Sequence, residues 1–238
     1  MRYLIKIAYD GSKYNGFQRL NNFKTVQGEI ESCLSKIYQQ PIEIKGAGRT
    51  DRGVHAFGQM AHFDLDQEVD LNNLKYTLNK YLDENIRIIS CQAVNAEFHA
   101  RHSVKKKKYV YYIYCKRDNP LLNDYAYCYE DNFNIKKMKK VAKKFIGIHD
   151  FTNLVSGSRD NYNAVIYKIK IVKDHNMIII SFIGKSFYRY MVRNLVGAII
   201  EVGRGKKELT YIDDLLEKKD IQCFTAPPNG LYLMEVEY

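Results

Sequence analysis

Strand-like and helix-like segments follow one another in a regular order along the chain, and this order constrains the fold more than any other feature. The strand-like segments of the first half are residues 2–9, 42–48, 56–65 and 86–94. Two segments with apolar side chains at helical spacing, 25–40 and 71–82, begin at the capping residues Thr25 and Asp70. The first hundred residues therefore predict the order β-α-β-β-α-β.

The second half repeats this order. Its strand-like segments are residues 108–115, 164–172, 176–184 and 231–238. Its helical segments are 135–147, with Gly147 at the end, then 186–203 and a short helix at 211–217. The pattern predicts an α+β fold of two split β-α-β (β-α-β-β-α-β) subdomains, residues 1–103 and 104–238, sharing one largely antiparallel sheet with a central cleft.

Charge is the first indication of function. The chain has 37 Lys and Arg against 27 Asp and Glu, a net charge of +10. The excess is concentrated in residues 105–108 and in the six lysines of residues 136–144. Such clusters suit a nucleic-acid backbone, although the second cluster is equally consistent with a solvated helix face.

Other composition features restrict the location and the chemistry. Five scattered cysteines without a CxxC pair are typical of a reducing compartment, so we expect a cytoplasmic protein. No apolar run approaches the length of a membrane span, and no phosphate loop, dinucleotide fingerprint or nucleophile elbow occurs. His99 and His102 favour a capping or core role over a metal site. We expect no metal, nucleotide or redox cofactor.

The most informative short stretch is GAGRTDRGVHA, residues 46–56, in which Asp51 stands between Arg49 and Arg52. A carboxylate close to guanidinium groups is held in its ionised form. An ionised aspartate can attack a sugar carbon, accept a proton or stabilise an oxocarbenium-like centre. The alternative is a turn residue or a structural ion pair.

Two further features point towards RNA. The strand that follows the first lysine run places Tyr109 and Tyr111 on one face, where they can stack on unpaired bases or pack within a sheet. The predicted helix 186–203 is mostly apolar yet carries Arg189 and Arg193 four residues apart. An arginine on such a helix needs a partner, either an acid of the core or a catalytic acid such as Asp51.

The chain resembles the bacterial tRNA pseudouridine synthases of the TruA family. The motifs that carry the resemblance are YDGSKYNGFQ (9–18), TVQGEIE (25–31), GAGRTDRGVHAFGQ (46–59), FHAR (98–101), KKYVYYIY (107–114), GIHDFTN (147–153), GKSFYRYMVRNLVGAIIEVGRG (184–205) and APPNGLYL (226–233). The resemblance implies Asp51 as the catalytic residue, Tyr109 as a base-stacking residue and Arg193 as the partner of the acid. Arg49 and Arg52 would contact RNA phosphate or hold the loop.

The same resemblance implies a cofactor-free homodimer that acts on uridines 38, 39 and 40 of the tRNA anticodon arm. It leaves open whether Asp51 acts as nucleophile or as base. The chain departs from the family pattern at Phe17, often a tryptophan, at Leu20, often a glutamine, and at Asn163-Ala164, where an arginine is common. The alternative functions are a non-catalytic RNA-binding protein, a synthase for a different RNA, and a nucleotide hydrolase.

Overall fold

The computed structural model describes residues 1–238, which form two compact units. The first unit comprises residues 1–105 and 233–238, and the second comprises residues 106–232. The last six residues therefore belong to the first unit, whereas the sequence grouped them with the second half. The predicted α+β class is confirmed, because five helices accompany strands that pair mostly in antiparallel fashion.

The first unit has the predicted order of elements. In chain order they are β1 (Arg2–Tyr9), α1 (Val26–Tyr38), β2 (Lys45–Gly46), β3 (His55–Asp64), α2 (Leu71–Tyr81) and β4 (Ile86–Val94). Strand β1 lies between β4 and β3 and is antiparallel to both. The short strand β2 joins this sheet by pairing with β3 in antiparallel fashion near its end, where Lys45 lies opposite His62.

Helices α1 and α2 begin where the local sequence places their caps. The Thr25 hydroxyl accepts a hydrogen bond from the Gly28 N–H at 3.3 Å, and the Asp70 carboxylate accepts one from the Asn73 N–H at 2.6 Å. Both side chains thereby satisfy backbone donors that have no partner inside the helix. Ile30 and Leu34 of α1 are fully buried, so the predicted apolar face is the one that enters the core.

The second unit contains more elements than the sequence predicts. In chain order they are β5 (Lys106–Tyr114), β6 (Tyr127–Cys128), α3 (Ile135–Lys144), β7 (Gly147–Asp150), β8 (Asn163–Asp174), β9 (Met177–Gly184), α4 (Met191–Gly203) and α5 (Thr210–Leu216). Its strands lie in the order β5-β9-β8-β7, each antiparallel to the next, and β6 adds a short parallel pairing to β5. The last strand, β10 (Leu231–Glu237), leaves this unit and lies beside β3.

Two helix boundaries in the second unit differ from the prediction. Helix α3 ends at Lys144, and Gly147, expected at the helix end, begins strand β7 with φ of +116°. Helix α4 begins at Met191 and not at residue 186, because Tyr190 adopts a left-handed conformation with φ of +63° that interrupts the helix. Arg189 therefore precedes the helix, while Arg193 lies in its first turn.

Helix α4 forms the centre of the second unit. Eleven of its thirteen residues are buried, which explains its nearly continuous apolar sequence. Despite that composition, none of the five helices has both the length and the apolar character that crossing a membrane requires.

Candidate active site

Asp51 lies in the loop of residues 47–54, which joins β2 to β3. The Val54 N–H donates to the Asp51 carbonyl at 3.1 Å, and Gly53 has φ of +80°. A positive φ at the third residue of such a four-residue turn is typical of a type II turn, where glycine is favoured. Asp51 is therefore the first residue of a tight turn, and its side chain is half-buried.

A buried set of polar side chains supports this loop from below. The hydroxyl groups of Tyr9 and Thr50 are 2.7 Å apart, and the Gln59 amide donates to the Gly48 carbonyl at 2.9 Å. Burial raises the pKa of Tyr9 well above its ordinary value, so its hydroxyl keeps its proton. These three residues attach the residues before Asp51 to strands β1 and β3.

The segment of residues 14–18 packs directly on the backbone of the loop. The Phe17 N–H donates to the Thr50 carbonyl at 3.1 Å. Gly16 has φ of +92°, and a Cβ at this position would lie 2.8 Å from the Thr50 carbonyl oxygen and 3.3 Å from the Arg52 nitrogen. Only glycine permits this conformation and this approach together, which accounts for the second glycine of the YDGSKYNGFQ motif.

Arg49 and Arg52 do not form the ion pairs with Asp51 that their adjacency suggested. Both side chains are exposed, and neither takes part in an ion pair or a hydrogen bond. Adjacent residues in a turn direct their side chains away from one another, so neighbours in sequence need not be neighbours in space. The two guanidinium groups are accessible to an external anion.

Tyr109 lies on β5, opposite Phe182 of β9. Its side chain is only 7% exposed, and its ring packs edge-to-face against Phe187, with ring centroids 5.3 Å apart and planes at 79°. This geometry is favourable for aromatic pairs and holds the Tyr109 ring in one orientation.

Arg193 is held at the start of α4 by Ala226. The Arg193 Nε donates to the Ala226 carbonyl at 2.8 Å, and the Ala226 N–H donates to the Arg193 carbonyl at 3.1 Å. The guanidinium carbon also lies 4.9 Å from the centroid of the Tyr190 ring. A left-handed backbone at a bulky residue is uncommon and is concentrated at functional sites, and here it brings the Tyr190 ring alongside Arg193.

Two histidines, His62 near the end of β3 and His99, have structural roles. His62 accepts from the Ala100 N–H at 3.1 Å, and His99 accepts from the N–H groups of Arg101 and His102 at 3.1 and 3.4 Å. The helix-capping or core role expected for His99 and His102 is not observed, because His99 accepts hydrogen bonds within a turn and His102 is exposed. No three His, Cys, Asp or Glu side chains are arranged to hold a metal ion.

The structure thus brings Asp51, Arg49 and Arg52 together in one loop of the first unit and holds Tyr109 and Arg193 within the second. The sequence did not single out Tyr9, Thr50 and Gln59, which hold the loop. In the sequence these residues are polar side chains beside apolar ones in a strand or a loop, a common pattern. Only their burial in the folded chain sets them apart.

The family of the chain follows from comparison with known proteins. A family model described as tRNA pseudouridine synthase matches residues 5–103 and 141–238. The chain belongs to the tRNA pseudouridine synthase family. This synthase is similar to three proteins named tRNA pseudouridine synthase A. The protein from Finegoldia magna is 39% identical, over 98% of this chain and 98% of the relative. The protein from Streptococcus uberis is 38% identical, over 100% of this chain and 98% of the relative. The protein from Thermodesulfovibrio yellowstonii is 40% identical, over 98% of this chain and 97% of the relative.

The resemblance stated from the motifs is confirmed, and the synthase is an isomerase that acts on tRNA. The matched residues include the Asp51 loop and the start of α4 with Arg193. Tyr109 lies in the stretch 104–140, outside the residues that the family model matches.

Proposed function

We propose that this synthase converts uridine to pseudouridine in the anticodon arm of tRNA, at positions 38, 39 and 40, and that Asp51 carries the chemistry. The observation that supports Asp51 is its place in a tight turn whose backbone is attached to buried Tyr9 and Thr50. A carboxylate held in this way keeps its position while the substrate moves, which is what a catalytic group requires.

The reaction needs only an acid–base or nucleophilic group. The N1–C1′ bond of uridine breaks, the uracil turns, and a C5–C1′ bond forms while C5 loses a proton and N1 gains one. Atoms and electrons balance without a further reactant. Asp51 would act either on C1′ as a nucleophile or as a base that accepts a proton.

The other candidate residues would bind the RNA around the reacting uridine. The uridine must leave its stack to be reached, and an aromatic ring held in one orientation, such as that of Tyr109, suits stacking on the extruded base. Exposed Arg49 and Arg52, which lack partners in the protein, suit contacts with the phosphates on either side. The pairing of Arg193 with Asp51 that the resemblance implies stays a prediction, which a double-mutant cycle on kcat would test.

The decisive experiment is tritium release from tRNA labelled with 5-³H-uridine. We expect Asp51→Asn to lower kcat by at least about 10³-fold while tRNA binding changes by less than about twofold. Asp66→Asn is the matched control, because this exposed aspartate lies outside the loop in the same unit. Turnover retained by Asp51→Asn would remove Asp51 from the catalytic role.

The same assay separates the alternative functions. Substrates in which uridines 38, 39 and 40 are each replaced by cytidine should lose release in proportion to the sites removed. Undiminished release from the triple replacement would place the target elsewhere in the RNA. Binding without release by the wild-type protein would favour a non-catalytic RNA-binding protein.

We also infer a homodimer, from the resemblance, and a cytoplasmic location. The five cysteines are all free, which suits a reducing compartment. Sedimentation at micromolar concentration tests the dimer, and fractionation of cells tests the location.

A further inference from the structure

A groove in the second unit, between α3 and β8, has no part in the proposed chemistry. It encloses about 430 Å³. The residues that line it are Lys139, Ala142, Lys143, Ile169, Lys170, Ile171, Val172 and Lys173. Four of these eight are lysines, contributed by two elements that are distant in sequence.

The groove has an apolar floor and a basic rim. Ala142 and Ile171 are buried, at 3% and 4% exposure, where α3 packs on β8. All four lysines are exposed. Since alternate residues of a strand share a face, Lys173 lies on the same face as Ile171, the face that α3 covers. By the same alternation Lys170 lies on the opposite face, and it borders the groove from the edge of β8, since β7 pairs only with residues 163–166.

None of the four lysines is compensated by a carboxylate, since none takes part in an ion pair. Two acids of this unit pair with other lysines. Lys144 pairs with Asp213 and Lys218 with Asp150, at 2.5 and 2.7 Å. Like charges gathered without counter-charges repel one another, and an anionic ligand would relieve this repulsion.

The groove is separate from the position proposed for the target base. Tyr109 lies opposite Phe182, which lies opposite Ile169 at one end of the groove. Ile169 is two strand spacings from Tyr109, which amounts to roughly 10 Å. Lys173 lies four residues beyond Ile169, roughly 13 Å further along β8. A ligand in the groove therefore reaches past the nucleotide at Tyr109.

We propose that the lysine groove, formed by Lys139, Lys143, Lys170 and Lys173, binds the phosphate backbone of the substrate RNA away from the reacting nucleotide. This inference rests on the proposed function only in taking tRNA as the substrate. Lysine contacts with phosphate supply affinity without reading sequence. The groove contributes to binding and leaves the chemical step unchanged.

The test compares a quadruple variant with a control on the same helix. Lys139→Gln, Lys143→Gln, Lys170→Gln and Lys173→Gln are combined, and the control combines Lys136→Gln with Lys140→Gln, which are exposed on α3 but do not line the groove. Binding of full-length tRNA is measured from 50 to 300 mM KCl, with kcat and KM from tritium release.

We expect the quadruple variant to bind tRNA about 10- to 100-fold more weakly and to raise KM with kcat unchanged. The slope of log K against log salt should fall in magnitude by about 3, because each lost phosphate contact removes about 0.7 to 0.9. The two control substitutions should change the slope by clearly less per charge. If the slope changes equally per removed charge in both variants, the lysines act only through the overall positive charge of the protein. If the slope does not change, the groove is a solvated surface or binds an acidic protein. Each result overturns the proposal.

Two further measurements guard against other causes. Thermal unfolding of the quadruple variant should be unchanged or shifted upwards, because mutual repulsion is removed. If it unfolds early, the pairs Lys139/Lys143 and Lys170/Lys173 are changed separately, and each should reproduce about half the slope change. Binding measured in the Asp51→Asn background separates the two proposals, because the groove effect must persist there even if Asp51 proves not to be catalytic.

Discussion

The Asp51 loop and the start of α4 both present a charged side chain from irregular backbone, but they are held in different ways. The loop is positioned by backbone contacts, in which Gly16 and Phe17 lie directly against Thr50. The start of α4 has a backbone bond as well, from the Ala226 N–H to the Arg193 carbonyl, but it adds a side-chain bond, from the Arg193 Nε to the Ala226 carbonyl. The loop therefore has no room for an added atom, whereas the helix start also depends on the shape of one hydrogen-bonding side chain.

The largest effect should come from adding an atom beneath the loop. Gly16→Ala combines a strained positive φ with a close contact to the Thr50 carbonyl, and we expect it to cost about 3 kcal/mol of unfolding free energy. Gly157→Ala is the matched control, because Gly157 has φ of +91° but no atom within 4 Å. It should cost about 1 kcal/mol. Equal losses in urea unfolding would show that backbone conformation, and not close approach, makes Gly16 necessary.

The corresponding change at the helix start is Arg193→Lys. Lysine keeps the charge but lacks the planar donor that reaches the Ala226 carbonyl, so we expect a loss of about 2 kcal/mol in transition-state stabilisation. That corresponds to about a 30-fold fall in kcat/KM. Arg189→Lys, at the exposed position before the helix, should change kcat/KM by less than about threefold. If both variants behave alike, charge alone explains Arg193.

A smaller effect is expected from the buried hydroxyl under the loop. Tyr9→Phe leaves Thr50 without the Tyr9 oxygen at 2.7 Å, at a cost of about 1 to 2 kcal/mol. Tyr3→Phe removes a hydroxyl that bonds Gln67, away from the loop, and should cost a similar amount. Only Tyr9→Phe should also lower kcat. A normal kcat in Tyr9→Phe would mean that the loop keeps its position without this bond.

The smallest effect is the pH dependence of stability that arises from His62, where β2 pairs with β3. Burial lowers the pKa of His62, opposite Lys45 of β2, to about 4. Between pH 6.5 and 4 the unfolded chain binds a proton that the folded chain does not, so stability falls as pH falls. From pH 8 to pH 6 this contribution is less than about 1 kcal/mol. His62→Asn retains an acceptor for the Ala100 N–H, so it should remove this contribution to the fall in unfolding free energy, measured by urea unfolding at pH 8 and pH 6. A pH dependence equal to that of the wild-type protein would contradict the role assigned to His62.

Elements with local signals were predictable, and elements that depend on distant pairing were not. Thr25 and Asp70 cap their helices as the sequence indicated, because a cap needs only residues within one turn. Strand β7 has four residues and exists through its pairing with β8, which no local pattern reveals. The predicted helix from residue 186 was too long, since nothing in the composition shows that Tyr190 is left-handed.

The candidate site shows the same limit. Glycines on both sides of Asp51 indicated an unusual loop, and the structure explains Gly53 by a turn and Gly46 by a close contact with the Phe17 ring. The ion pair of Asp51 with Arg49 or Arg52, one of the alternatives that the sequence left open, is not formed, because side-chain direction in a turn depends on dihedral angles that the sequence does not reveal. The support from Gln59 depends on burial and is visible only in the folded chain.

The position of β10 beside β3 has a consequence for biosynthesis. The first unit contains residues 1–105, yet on the side away from β1 these residues supply β3 only with the two-residue strand β2, and the longer neighbour β10 comes from residues 233–237. During translation, the ribosome must make residues 106–232 before β10, the strand beside β3, exists. Until then β3 presents unpaired backbone groups, a feature that favours association with other chains. The nascent first unit therefore stays incomplete until β10 has been made.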